Sequence, residues 1–143
     1  MRRRTILEVA FRLQIDVRNS LGDRLHELDI DLVPMQLRTL RAIWNADDVT
    51  AQHIVSTLKR DKAQVTRLLN ELVARKLVYR LPNPNDKRSK LLKLTDEGNQ
   101  IFRQIEEIEK VVFEEMVEGI SDEDLQIFFK VADQLTENMR KME

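Results

Sequence analysis

The stretch from Thr50 to Thr95 constrains the fold more than any other part of the chain, because its pattern of apolar residues changes several times over a short span. Thr50 is a good N-cap, and Ile54, Val55 and Leu58 mark the buried side of a helix of only about eight residues. Lys59, Arg60 and Asp61 form a short link. Asp61 suits the N-cap of the next helix, with Gln64 three positions on to complete a capping box. Val65, Leu68, Leu69 and Leu72 give residues 62–75 one apolar face. Two short capped helices joined by a three-residue link have the layout of a helix-turn-helix. The runs LVYRL (77–81) and SKLLKL (89–94) are too short for helices here and flank a loop of Pro, Asn, Asp, Lys and Arg. They read as a β-hairpin, and a helix-turn-helix followed by a hairpin is a winged helix.

Longer apolar stripes lie on either side. Ile6, Val9, Leu13, Val17, Leu21, Leu25 and Leu28 recur every three or four residues and predict one long amphipathic helix over residues 5–28. Pro34 pushes Val33 out of the helical region and itself suits a first helical turn, so a second helix carrying Leu37, Leu40 and Trp44 starts there and ends near residues 45–48. Beyond the hairpin, Thr95 caps a helix with Asp96 and Glu97 in its positive first turn and Ile101, Ile105, Ile108, Val112 and Met116 on its stripe. Ser121 opens a last helix with Leu125, Phe128, Ala132, Leu135, Met139 and Met142 on a seam too short to demand a supercoil. The expected fold class is mainly α with a small β-hairpin wing. Residues 34–94 form the winged helix-turn-helix lobe, and residues 1–33 and 95–143 form helical extensions whose stripes need partners.

Composition narrows the function. The chain of 143 residues is 34% charged and 42% hydrophobic, enough for a core, and no segment has the roughly 18 to 20 uncharged apolar residues of a membrane span. The opening MRRRTILEVAFRLQI has a basic head like a signal peptide, but Glu8 and Arg12 interrupt the apolar run, and it reads as a helix start in a cytoplasmic protein. The absence of cysteine excludes disulfides, zinc–thiolate sites and thiol chemistry, and His26 and His53 stand without metal-ligand spacing. No glycine-rich phosphate loop and no nucleophile with a histidine partner is present, so an enzyme, a metal site and a cofactor are not expected. The net charge of −1 conceals an asymmetry: residues 59–93 carry 11 basic and 3 acidic side chains, whereas residues 94–143 carry 5 and 14. The basic block is the electrostatic footprint of a polyanion-binding surface or of a solvated face.

On the second helix of the motif, Lys62, Ala63, Thr66, Arg67 and Asn70 share the outward face. Lys and Arg reach phosphates or guanine edges, Asn pairs with adenine, and the small Ala63 with the Thr66 methyl allows close approach to a thymine methyl. Gln64 either completes the capping box or faces a base. At the hairpin tip, Lys87 and Arg88 are placed to enter a neighbouring minor groove, while Asp86 accepts hydrogen bonds from the loop backbone and holds Arg88 extended. These residues together form the candidate face for double-stranded DNA. A winged helix that docks its basic face on an acidic protein is the rival reading.

The segment DKAQVTRLLNELVARKLVYRLPNPNDKRSKLLKLTDEG resembles the signature of the MarR family of bacterial transcription regulators. It has the Thr-Arg pair (Thr66, Arg67), a Leu-Val then Arg strand, the Asp-x-Arg wing (Asp86, Arg88) and Leu-Thr-x-x-Gly opening the next helix, and VPMQLRTLRAIW is similar to the family's second helix. The resemblance implies a homodimer in which the first and last two helices interlock, binding a pseudo-palindromic operator. It further implies a repressor released by a small aromatic or phenolic effector held near Trp44, Arg41, His26 and Met35, although helix spacing also fits Trp44 as core. Two departures stand out. Lys76 occupies a position before the first wing strand where the family commonly has Gly, which costs about 1 kcal/mol if a left-handed cap is kept; otherwise the helix ends differently. The missing cysteine excludes the family's thiol-based sensing of peroxides.

Overall fold

The computed structural model describes residues 5–142, so the basic head at residues 1–4 lies outside the described residues. The element order is α1 (Ile6–Glu27), α2 (Pro34–Asn45), α3 (Ala51–Leu58), α4 (Lys62–Ala74), β1 (Val78–Pro82), β2 (Lys90–Leu94), α5 (Asp96–Met116) and α6 (Asp122–Arg140). Packing divides the chain into two units, one ending at Glu109 and one starting at Lys110, so the division falls inside α5.

In the first unit, α2, α3, α4 and the hairpin enclose a core in which Leu40, Ile54, Leu72, Leu77 and Phe102 have almost no exposure. The helix starts follow from their caps. Thr5 and Glu8 form a capping box at α1, Thr50 Oγ1 accepts from His53 N, and Asp61 Oδ1 accepts from Gln64 N at 2.8 Å. Val33 is extended with Pro34 as the first residue of α2, as the sequence predicts. On α4, Val65, Leu69 and Leu72 are buried, with Leu68 half-buried beside them. The long stripe of α1 is covered only at its C-terminal end: Leu25 joins the core and Leu21 is half-buried, while Ile6, Val9 and Leu13 remain exposed. Leu28 leaves the stripe because the helix ends one residue before it.

The hairpin strands sit one residue later at their starts than the apolar runs suggest. They pair antiparallel, with Val78 opposite Leu94 and Pro82 opposite Lys90. On the other side of β2, Leu92 N donates to Val49 O at 2.8 Å, which ties the hairpin to the segment before α3. On α5, Phe102 is the deepest side chain, a position outside the Ile101–Ile105–Ile108 series, and it packs its ring 5.0 Å from that of Trp44. Trp44 is therefore a half-buried part of the core margin.

Two chain corners meet between α4 and α5. At the end of α4, Lys76 N donates to Val73 O and Leu77 N to Leu72 O, a Schellman cap that places Lys76 at φ 59°. The left-handed cap is thus kept, with a lysine where glycine is at ease, and buried Leu77 packs back over buried Leu72. At the start of α5, Thr95 N donates to Leu77 O at 3.0 Å, the Thr95 hydroxyl donates to Lys76 O at 2.6 Å, and Gly98 N donates to Thr95 Oγ1 at 3.0 Å. A Cβ at Gly98 would overlap the Leu77 carbonyl, so no other residue fits there without moving backbone. The Leu-Thr-x-x-Gly motif is the physical clasp between the two corners.

The second unit comprises the end of α5, a turn with Gly119 at φ 77°, and α6, whose N-cap Ser121 accepts from Asp124 N. No residue of α6 is buried: Leu125, Ala132 and Leu135 are half-buried, whereas Phe128 and Met139 are 53% and 68% exposed. Its apolar seam awaits a cover. Among the described residues, no helix is long and apolar enough to cross a membrane.

The clasp predicts two opposite effects on stability in urea titrations. Gly98→Ala should destabilise the fold by roughly 1 to 3 kcal/mol through overpacking against fixed backbone. Lys76→Gly should stabilise it by about 1 kcal/mol, by relieving the left-handed lysine. A neutral Gly98→Ala would show that the corner yields freely.

Candidate nucleic-acid interface

The cap at Asp61 and the buried row Val65, Leu69 and Leu72 fix which side of α4 faces outward. Lys62, Ala63, Gln64, Thr66, Arg67 and Asn70 are all exposed there. The Gln64 side chain does not reach back to complete a capping box, which leaves its amide at the surface. The Thr66 hydroxyl donates to Lys62 O at 2.8 Å, so its proton is spent within the helix. The Lys62 and Arg67 side chains have no hydrogen bond or ion pair among the described residues, and both are exposed.

Asn70 is differently placed. Its Oδ1 accepts from Arg80 Nη2 at 2.8 Å, a bond from the wing strand to the helix. That bond takes one of the two lone pairs of Oδ1 and fixes the amide, so Asn70 braces the wing while its second lone pair and its Nδ2 are still available to a base edge. Arg80 is the member of the face that sequence reading passed over. It looked like one cation on a strand, and only the pairing of β1 with β2 carries it beside a helix residue ten positions earlier.

The wing loop holds Asp86, Lys87 and Arg88, all exposed. Its shape comes from side chains that imitate backbone turns. Asn83 Oδ1 accepts from Asn85 N at 3.0 Å, Asp86 Oδ1 accepts from Arg88 N at 2.9 Å, and Asn83 Nδ2 reaches across to Ser89 Oγ at 2.9 Å. Asp86 thus acts on Arg88 through the main chain. The expected grip on the guanidinium is absent among the described residues, and the Lys87 and Arg88 head groups extend without partners. No direct bond joins the loop tip to α4; the two are linked through Arg80 and Asn70 at the base of the wing.

Farther from this face, Arg41 pairs with Glu109 and lies over the Phe102 ring, with its guanidinium carbon 5.6 Å from the ring centroid. Of the four residues expected near an effector, Arg41 and Trp44 therefore share one cluster around Phe102. His26 is exposed and Met35 is half-buried against the core.

Together these features define a winged helix-turn-helix whose outward helix and loop tip carry unpaired cations on a braced scaffold. The MarR family model matches residues 30–89. The multiple antibiotic resistance protein MarR of Escherichia coli K12 is 37% identical over 93 residues, covering 63% of this chain and 65% of that protein. The chain thus spans just under two thirds of that relative. Transcriptional regulator HosA of E. coli O111:H- is 30% identical over 106 residues, covering 74% of this chain and 78% of HosA. Among solved structures, a cysteine-to-serine mutant of E. coli MarR in complex with operator DNA superposes with a TM-score of 0.76 at 26% identity, over 89% of this chain and 90% of that one. The chain belongs to the MarR family.

The turn-mimicking bonds give the loop a direct check. Asp86→Ala removes the acceptor of the Arg88 N–H, and hydrogen exchange at that amide should accelerate about 10-fold, the worth of one such bond. Exchange at Leu92 N, anchored on Val49, should stay as it is. Unchanged exchange at Arg88 would show that Asp86 does not shape the loop.

Proposed function

We propose that this chain is a non-enzymatic transcription regulator of the cytoplasm that binds double-stranded operator DNA as a homodimer. In this reading α4 enters a major groove and the wing tip meets the adjacent minor groove. The observation that carries it is the set of exposed cations without side-chain partners, Lys62 and Arg67 on α4 and Lys87 and Arg88 at the wing tip, on a scaffold braced by the Asn70–Arg80 bond. A surface whose charges are already paired gains little from a polyanion, whereas unpaired ones gain by displacing counterions. Family membership and the operator complex of the MarR relative support the same partner.

The dimer follows from the exposed apolar side chains at both ends. Residues 1–33 and 95–143 are the proposed dimerisation regions, and residues 34–94 the DNA-binding lobe. Ile6, Leu7, Phe11, Phe128 and Met139 are exposed in the single chain, and burying them in a second copy removes them from water. The acidic third of the sequence falls within these regions and the basic block within the lobe. Release from the operator by a small aromatic or phenolic anion completes the proposal, and Arg41, in the half-buried cluster over Phe102, would meet it by exchanging its Glu109 partner for the anion.

Roles within the face separate by substitution. Arg67→Ala should cost about 1 to 3 kcal/mol on an operator selected from a random duplex pool and relax preference at one position per half-site. Lys62→Ala should weaken operator and scrambled duplex alike and flatten the salt dependence. Equal losses on both duplexes for both variants would reject base reading by Arg67. Failure to select any preferred duplex would favour an acidic protein as the partner of this surface.

A further inference from the structure

Gln36 is a buried polar side chain that neither the core nor the DNA face requires. It is 7% exposed, lies in the first turn of α2, and its two ends do different work. Oε1 accepts from Val33 N at 3.1 Å and so satisfies one orphan donor at the start of α2. Nε2 donates to Glu71 Oε2 at 3.2 Å, a bond to α4 across 35 residues of sequence. One turn further on, at the C-cap of α4, Arg75 Nη1 donates to Asp31 O at 2.6 Å in the α1–α2 link and lies 3.5 Å from Gln36 Oε1. Glu71 and Arg75 stand four residues apart, on the flank of α4 between its buried row and its outward face.

We propose that Gln36, Glu71 and Arg75 form a positioning clamp that sets the orientation of α4 and thereby operator preference, without any of the three touching DNA. This rests on the DNA-binding reading above. Apolar contacts along Val65, Leu69 and Leu72 hold α4 on the core but are non-directional and leave rotation about the helix axis weakly specified. Hydrogen bonds to a buried amide and to a main-chain carbonyl are directional, and they act at the C-terminal half of α4, where a small rotation swings the Lys62–Arg67 end. The clamp also fastens α4 to the link that leads from α1. Any change in how α1 is held therefore passes to the DNA face through Arg75 and Asp31 O.

Gln36→Glu tests this while keeping the cap, because a carboxylate still accepts from Val33 N but repels the Glu71 carboxylate. On an operator selected by the parent chain, Gln36→Glu should lower the ratio of operator to scrambled affinity about 10-fold, the worth of one hydrogen bond to a charged group. The double variant Gln36→Glu with Glu71→Gln restores the bond with donor and acceptor exchanged, and should return the ratio to near the parent value. Glu71→Ala, at an exposed position, covers the case in which Gln36→Glu does not fold. It should tighten binding to scrambled duplex by removing a negative charge, yet still lower the ratio. A general loss of structure would depress both duplexes together and would not be rescued by the exchange. A parent-like ratio in both Gln36→Glu and Glu71→Ala, or no rescue in the double variant, would overturn the clamp alone. A parent chain with no duplex preference would overturn the DNA-binding reading and the clamp's role with it.

Discussion

The carbonyl of Leu77 is the point on which the lobe turns. It accepts from Thr95 N while Gly98 lies against it too closely for any side chain. That contact joins the end of α4 to the start of α5, and the hairpin emerges from the same junction, so the directions of both wing strands are set there. The remaining bonds strengthen the arrangement. The Thr95 hydroxyl holds Lys76 O, Lys76 accepts a left-handed conformation to complete the cap, and Leu77 packs over Leu72. A lysine at this φ is a modest local cost, offset because the cap satisfies two α4 carbonyls.

From that junction the functional face follows by short steps. The hairpin carries Arg80 to Asn70, which braces the wing against α4, and the Asn83 and Asp86 turns shape the loop that presents Lys87 and Arg88. Gln36 and Glu71 tie α4 to α2, and Arg75 ties its C-terminal end to the α1–α2 link. The near-neutral total charge is then misleading, because attraction for a polyanion depends on the local excess around residues 59–93.

Most of the lobe was legible in the sequence because its signals are local. Thr50 and Asp61 cap where the pattern places them, Pro34 starts α2, and the apolar rows of α3 and α4 are the buried rows. What escaped was carried by partners distant in sequence. The bond from Arg80 to Asn70 had no local signal, and Phe102 lay off the isoleucine series yet joins the core. Gln36 carried no signal in the sequence, since nothing local announces Glu71 or the Asp31 carbonyl. The stripe of α6 was correctly read as apolar, yet within one chain it stays uncovered.

The central claim is that the outward helix and the wing tip form one rigid unit before any DNA arrives. The natural absence of cysteine makes this directly measurable, since Gln64→Cys and Lys87→Cys place two spin labels on the chain and nowhere else. Diluted with unlabelled chain so that only intrachain pairs are read, the parent should give a single narrow distance distribution in the absence of DNA, and Gly98→Ala should broaden it. A broad or two-peaked distribution in the parent, or one that Gly98→Ala leaves unchanged, would contradict the claim that the Leu77 junction fixes the wing.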